Sequence, residues 1–249
     1  MFSNFLNRQA PAPSIRPKVP EGWRIYAVGD IHGRADLLED MARRIESAAP
    51  EAPQKTLTIF LGDYIDRGLQ SAAVLDRLSR GDFPTEFIAL RGNHEQTMLD
   101  ALEDAEIFEF WRRYGAAETL ASYGVKVSDL MRGAGFAEAQ AELKEKAPPQ
   151  HIAFLNALPL SHEIGDYFFC HAGVRPGRAL SAQEARDLMF IRGEFLQSTA
   201  DHGRVIIHGH TPVREPEFRA NRINIDTGAY ATNRLTCLAL EGERQWILE

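Results

Sequence analysis

Two cysteines, Cys170 and Cys237, are all that the 249 residues contain, and they stand far apart with no C-x-x-C spacing. That argues against a disulfide framework or a zinc-thiolate site and leaves two buried or half-buried thiols as the expectation. Long apolar runs are also missing: none approaches the roughly 20 residues a membrane-spanning helix needs, and Met1 to Arg8 lacks the apolar stretch of a secretory signal. A cytoplasmic protein without a membrane partner is therefore expected. Phe2, Phe5 and Leu6 could dock on some surface, but so short a stretch reads first as a mobile end. Positive charge is not in excess either, since 28 Lys and Arg face 35 Asp and Glu for a net charge of −7. A surface of that sign repels a phosphate backbone, so nucleic acid is not an expected partner. Compositional bias and fixed-period repeats are absent: 44% hydrophobic and 25% charged residues, with 19 Gly and 13 Pro, describe an ordinary globular chain. The length suits one elaborated α/β domain, and nothing in the sequence sets an oligomeric state beyond allowing a monomer.

What is present falls into segments. Pro11, Pro13, Pro17 and Pro20 remove backbone donors from an otherwise small and polar stretch, so residues 1–22 read as a disordered leader before a single catalytic domain at 23–249. Arg24 to Val28 is strand-like and leads through Gly29-Asp30 into Leu37, Leu38, Met41 and Ile45 at helical spacing. The pattern recurs with Thr56 to Leu61 before a helix at Ala72 to Ser79, and again with Glu86 to Leu90 before a helix that starts near His94. Three β-loop-α units imply parallel strands with helical crossovers. Residues of about 95–158 are helix formers broken by glycines and by Pro148-Pro149, a helical insertion. The second half reads as mainly β: Leu160 to Ile164, a turn at Gly165-Asp166, Tyr167 to Cys170, Val205 to His208, Arg222 to Ile225, Leu235 to Leu240 and Gln245 to Leu248, with one helix near Ser181 to Met189.

The polar residues that carry chemistry sit where those strands end, and in open α/β sheets loops converge on a ligand at the carboxyl ends of strands. After the first strand comes Asp30-Ile31-His32-Gly33, after the second Gly62-Asp63-Tyr64-Ile65-Asp66-Arg67-Gly68, and after the third Arg91-Gly92-Asn93-His94-Glu95. Later strands deliver Cys170-His171-Ala172-Gly173 and His208-Gly209-His210-Thr211. Singly, each has a plain alternative: Asp-x-His can be a turn and a cap, and Gly-Asn-His-Glu can be a turn before a helix capped by Asn93. Jointly they offer Asp, Asn and His beside Gly at five strand ends, a donor set suited to two divalent metals.

Gly29-Asp30-Ile31-His32-Gly33, Gly62-Asp63-x-x-Asp66-Arg67-Gly68 and Gly92-Asn93-His94-Glu95, with the downstream His segments, resemble the signature of the PPP superfamily of metallophosphoesterases. Within it the chain is most similar to the compact bacterial and phage protein-serine/threonine phosphatases, including at Ile207 to Pro212 and Ile225 to Gly228. The resemblance covers about Arg24 to Leu240 and implies an α/β fold, a two-sheet β-sandwich flanked by helices. It implies that Asp30 and His32 hold a first metal, that Asp63 bridges both, and that Asn93, His171 and His210 hold a second. A carboxylate can span two cations, which together lower the pKa of a shared water so that a bridging hydroxide can attack phosphorus. Manganese is the expected ion, with iron or zinc as alternatives. Arg67 and Arg192 match the phosphate-clamping arginines, Arg175 or Arg186 being substitutes for Arg192, and Asn93 can reach a phosphate oxygen. By the same resemblance His94 is the general acid and Asp66 orients it. His208 reads as a hydrogen-bonding neighbour of the ligands, while His151, His162 and His202 read as ordinary histidines.

The resemblance implies a phosphomonoesterase acting on phosphoserine or phosphothreonine in proteins, with phosphotyrosine a further possibility. A dinucleoside polyphosphate hydrolase is the alternative. That branch usually lacks the Asp66-Arg67 pair and has Asp in place of Glu95, and no basic or aromatic cluster suited to adenine and extra phosphates stands out in the sequence. A catalytically dead phosphoprotein-binding module would have no need of six intact ligands.

Overall fold

The computed structural model describes residues 16–48 and 55–249. Among the described residues ten strands run in chain order as β1 Trp23–Val28, β2 Lys55–Phe60, β3 Glu86–Ala89, β4 Ser161–Ile164, β5 Tyr167–Cys170, β6 Val205–His208, β7 Glu217–Phe218, β8 Arg222–Asn224, β9 Cys237–Glu241 and β10 Arg244–Ile247. They form two five-stranded mixed sheets, ordered β10-β9-β1-β2-β3 and β4-β5-β6-β8-β7. In the first, β1, β2 and β3 are parallel and β9 returns antiparallel to β1. In the second, β5, β6 and β8 are parallel, and the β4-β5 hairpin turns at Gly165, whose φ of 58° suits glycine.

Alternation along the strands builds three layers of core. Ile25, Ala27 and Ile59 pack with Tyr167, Phe169, Ile207 and Ile223 between the sheets. Tyr26, Val28 and Phe60 point the other way, onto helices α1 (Ala35–Ser47), α2 (Ser71–Ser79) and α3 (Asn93–Glu103). Helix α1 buries Leu38, Met41, Ala42 and Ile45, the spacing of one apolar face. Phe168, Cys170 and Ile206 form the outer face of the second sheet, covered by Leu188, Ile191 and Phe195. The expected helix at 181–189 is a 3-10 turn at Leu180–Ala182 followed by a helix at Ala185–Phe190.

The expected insertion is helical and continues from α3 through α4 Ile107–Trp111, α5 Ala116–Ser122, α6 Ser128–Met131, α7 Phe136–Lys146 and α8 Pro149–Ala157. It packs on the α1–α2 side of the first sheet through Met98, Trp111, Leu120, Leu143 and Leu155. His151 ties it down, its ring nitrogens contacting Tyr123 Oη at 2.9 Å and Asp76 Oδ1 at 3.1 Å. The leader departs from expectation at its end. Val19 is buried and donates to Gly242 O at 3.0 Å, Asp166 N donates to Lys18 O, and Tyr167 Oη donates to Pro17 O. Ring-constrained chain here covers the edge of the sandwich, so disorder does not extend through residue 22. Phe2, Phe5, Leu6, Pro11 and Pro13 lie outside the described residues.

Candidate metal centre

The turns after β1, β2, β3, β5 and β6 meet at one end of the sandwich. Five of the six non-glycine residues with positive φ among the described residues stand there: His32, Asp63, Asp66, Arg67 and His210. Such backbone costs energy and persists where the surroundings enforce it, and active sites are where it clusters. The glycines between them have a steric reason. A Cβ on Gly92 would collide with the Asp63 carboxylate, and one on Gly209 with the Asp30 carboxylate. Glu95, fully buried at the start of α3, gathers the loops: it accepts from Asp63 N and Gly92 N at 2.9 Å and from Tyr64 N at 2.7 Å. Gly92, and not Asn93, takes the N-cap position.

Asp63 is the hub. Its Oδ2 lies 3.5 Å from His32 Nε2 and 3.7 Å from His94 Nε2, while its Oδ1 lies 3.3 Å from His171 Nε2. Two sets of mutually close donors result, His32–Asp63–His94 and Asp63–His171–His210, sharing only Asp63. Asn93 Oδ1 joins the second at 2.9 Å from His171 Nε2. Asp30 belongs to neither set as the side chains stand; it accepts from His210 N at 3.0 Å and lies against Gly209. His94, in contrast, stands in the first set, although the resemblance makes it an acid and not a ligand.

The donors fit cations. His32 Nδ1 is 2.8 Å from Ile65 O and His171 Nδ1 is 2.9 Å from Leu61 O, contacts that place a proton on each Nδ1 and turn each Nε2 toward the Asp63 carboxylate, which at His171 outweighs burial and raises the imidazole. Burial holds the His32 imidazole well below its usual pKa and takes His210 down to about 2, so both are neutral, as ligands must be. Burial, then the charges of Asp226 and Asp63, push the Asp30 carboxyl well above the usual range. Buried carboxylates whose charges act on one another call for positive charge beside them. Asp226, also buried and raised by burial and then by Asp63, was singled out in sequence only as part of a resembling segment.

His94 behaves differently. Burial opposes its charge, but Asp63 and the contact of Nδ1 with Asp66 Oδ2 at 2.5 Å outweigh it and raise the imidazole to about 9. It lines a cavity of about 380 Å³ with Asn93, Arg67, Arg192 and His210. Arg67 places Nη1 3.1 Å from His32 Nε2 and Nη2 3.3 Å from His94 Nε2, stacked on Tyr230 at 4.8 Å. Arg192 donates from Nε to His210 Nε2 at 3.0 Å. Arg175 is committed elsewhere, paired with Asp187 and Glu194, and Arg186 lines a neighbouring hollow, so Arg192 is the arginine that joins Arg67.

Two expectations need correction. His208 makes no hydrogen bond to a ligand: its ring packs edge-on against Phe195 at 5.0 Å on the outer face, Nδ1 meets Gly209 O, and Nε2 finds no partner among the described residues. The left-handed turn at His210 breaks the strand alternation that would have put both rings on one side. Aromatic residues do gather at the site: Phe110, Tyr114 and Phe190, each more than a third exposed, line the cavity, the Phe110 and Tyr114 rings tilted against one another with centroids 4.6 Å apart. Phe110 and Tyr114 belong to one short stretch of the insertion, Phe108 to Tyr114, whose aromatic and basic residues do form a cluster in sequence that was missed; only Phe190, before Arg192, joins from far away. Trp111 and Thr119, both bonded to Asp66, were missed because they stand 45 and 53 residues from it.

The sequence profile of the calcineurin-like phosphoesterases matches residues 24–239. The chain is similar to the asymmetrical bis(5'-nucleosyl)-tetraphosphatase PrpE of Bacillus thuringiensis, 25% identical over 232 residues that cover 85% of this chain and 88% of that protein. The corresponding protein of Oceanobacillus iheyensis is 25% identical over 86% of this chain and 87% of its own. Among solved structures the fold is similar to the cold-active protein-tyrosine phosphatase of a psychrophilic Shewanella, with TM-score 0.58, 16% identity, and 93% of this chain and 83% of that one covered. It is similar also to a protein serine/threonine phosphatase of Saccharomyces cerevisiae, with TM-score 0.53, 18% identity, and 90% and 76% covered.

Proposed function

The chain belongs to the calcineurin-like phosphoesterase family, a metal-dependent hydrolase fold, and from that premise we propose that it is a phosphomonoesterase acting on phosphoserine or phosphothreonine in proteins. On this reading Asp30, His32 and Asp63 hold one divalent ion, and Asp63, Asn93, His171 and His210 the other, with manganese the preferred metal. When bound, such ions neutralise phosphoryl charge and activate water as the nucleophile. The remaining work falls to the chain. Arg67 and Arg192 flank the cavity and orient the phosphate through their planar forks, and Asn93 offers a neutral contact that does not repel it. Asp66 holds the His94 ring so that Nε2 carries its proton into the cavity, toward the ester oxygen.

The observation that carries the choice of substrate is the His94–Asp66 contact at 2.5 Å. An alkoxide of serine or threonine is a poor leaving group and needs a proton in the transition state, whereas a nucleotide leaving through a phosphate oxygen is stable as an anion and needs none. A buried acid raised to about 9 is fitted to the first task. A second reading has its own support: the PrpE relatives are named tetraphosphatases, and Phe110, Tyr114 and Phe190 offer planar surface on which a base could stack.

Phosphoserine, phosphothreonine and phosphotyrosine peptides assayed beside a dinucleoside tetraphosphate, with manganese supplied, separate the readings. Higher kcat/KM on phosphoserine or phosphothreonine is expected. Preference for the tetraphosphate would establish the second reading in its place.

A further inference from the structure

We infer that Trp111 and Thr119, both carried by the helical insertion, are positioning residues for proton donation by His94, acting through Asp66. The inference rests on the reading of His94 as the proton donor.

Asp66 is fully buried, and both of its carboxylate oxygens have donors. Oδ2 accepts from His94 Nδ1 at 2.5 Å and from Trp111 Nε1 at 2.7 Å, and Oδ1 accepts from Thr119 Oγ1 at 2.6 Å. Thr119 has one hydroxyl proton, which goes to Oδ1, and its lone pair receives Asp66 N at 2.8 Å. An Asp–His contact alone leaves the carboxylate free to turn about its last bond. Two further donors arriving from different directions fix its plane, and with it the direction in which His94 Nε2 points. Because a 1 Å displacement of a catalytic group costs a large part of its effect, that direction matters.

The same segment grips the adjoining backbone. Arg67 N donates to Gly115 O at 3.2 Å, and Gly115 is pressed so closely on Arg67 that a Cβ there would strike its backbone nitrogen. Asp66 and Arg67 are both in left-handed backbone, at φ 73° and 67°, so these contacts hold a strained dipeptide in place. Trp111 is a rigid donor, its indole fully buried and packed on Phe108 at 5.4 Å. Its neighbours Phe110 and Tyr114 face the cavity. One short stretch of insertion therefore meets the substrate space on one side and the acid's support on the other.

The test compares Trp111→Phe, Thr119→Val and Thr119→Ser with the wild type and with His94→Asn, all loaded with manganese, on phenyl phosphate and p-nitrophenyl phosphate. Phenolate needs the proton more than p-nitrophenolate does. The readout is the ratio of the two kcat values, which does not change if part of a preparation is misfolded. We expect Trp111→Phe and Thr119→Val to lower that ratio about tenfold with KM little changed, a fraction of the roughly 10² to 10⁴ that full loss of a general acid costs. Thr119→Ser, which keeps the hydroxyl, should retain it. A wild-type ratio in Trp111→Phe alongside a lowered one in His94→Asn overturns the positioning role alone. A wild-type ratio in His94→Asn itself removes the proton donor and this inference with it.

Discussion

Replacing His94 by Asn is the most informative perturbation of the reaction. With an ordinary imidazole pKa near 6.5, about a quarter of the molecules would carry the proton at pH 7; raised to about 9, His94 carries it in roughly 99%. Without metal ions the donor is therefore charged at neutral pH and is oriented by a 2.5 Å contact. Divalent ions beside it disfavour the imidazolium, so the basic limb of kcat against pH should fall between about 6.5 and about 9. His94→Asn should abolish that limb and lower kcat on a phosphoserine peptide by roughly 10² to 10⁴. On p-nitrophenyl phosphate, whose leaving group is stable without a proton, the loss should shrink to roughly tenfold or less. Metal content, measured on the same protein, should be unchanged. Equal deficits on the two substrates, or loss of bound metal, would mean that His94 is a ligand or a structural residue, as its place 3.7 Å from Asp63 Oδ2 also permits.

Asp66→Asn should remain folded, since its amide group can face Thr119 while its oxygen keeps the contacts of His94 and Trp111; it should lower kcat less than His94→Asn and move the basic limb toward pH 6.5, checked by the same pH profile. In metal-free protein the raised His94 contributes stability that is complete below about pH 6.5 and lost as pH rises through about 9; denaturant unfolding across that range should show a larger loss in the wild type than in His94→Asn, where the raised His171 still contributes. Glu95→Gln turns one acceptor oxygen into a donor facing a buried backbone N–H, at a cost of about 1 to 3 kcal/mol per unpaired group, read from denaturant midpoints. An unchanged midpoint would mean that Glu95 does not hold these loops together.

The clusters after β1, β2, β3, β5 and β6 were legible in sequence because each is local: a strand, a glycine that permits close approach, and a ligand-type residue within a few positions. The parallel strands were legible for the same reason, as apolar runs separated by helical spacing. What sequence hid was long-range. Trp111 and Thr119 reach Asp66 across 45 and 53 residues, and no periodicity in the insertion sets them apart from core positions. Phe190 meets Phe110 and Tyr114 only in the folded cavity, although the aromatic stretch Phe108 to Tyr114 was itself readable. His208 was misread because its strand does not continue flat to His210, and a left-handed residue cannot be anticipated at a histidine. Residues 16–22 looked unable to order because their prolines lack donors, yet Lys18 and Pro17 act through carbonyl oxygens, which proline composition does not remove.

A dinuclear centre here depends on Asp63, the carboxylate that the two candidate donor sets share among the described residues. Metal stoichiometry decides it most directly: manganese bound per chain, measured for the wild type and for Asp63→Asn after chelation and reloading, with turnover of p-nitrophenyl phosphate followed in parallel. Two ions per wild-type chain are predicted, with occupancy and turnover both lost in a variant that still unfolds cooperatively, because a neutral amide cannot balance two cations. Two ions and ordinary turnover in Asp63→Asn, or a single ion in the fully active wild type, would contradict it.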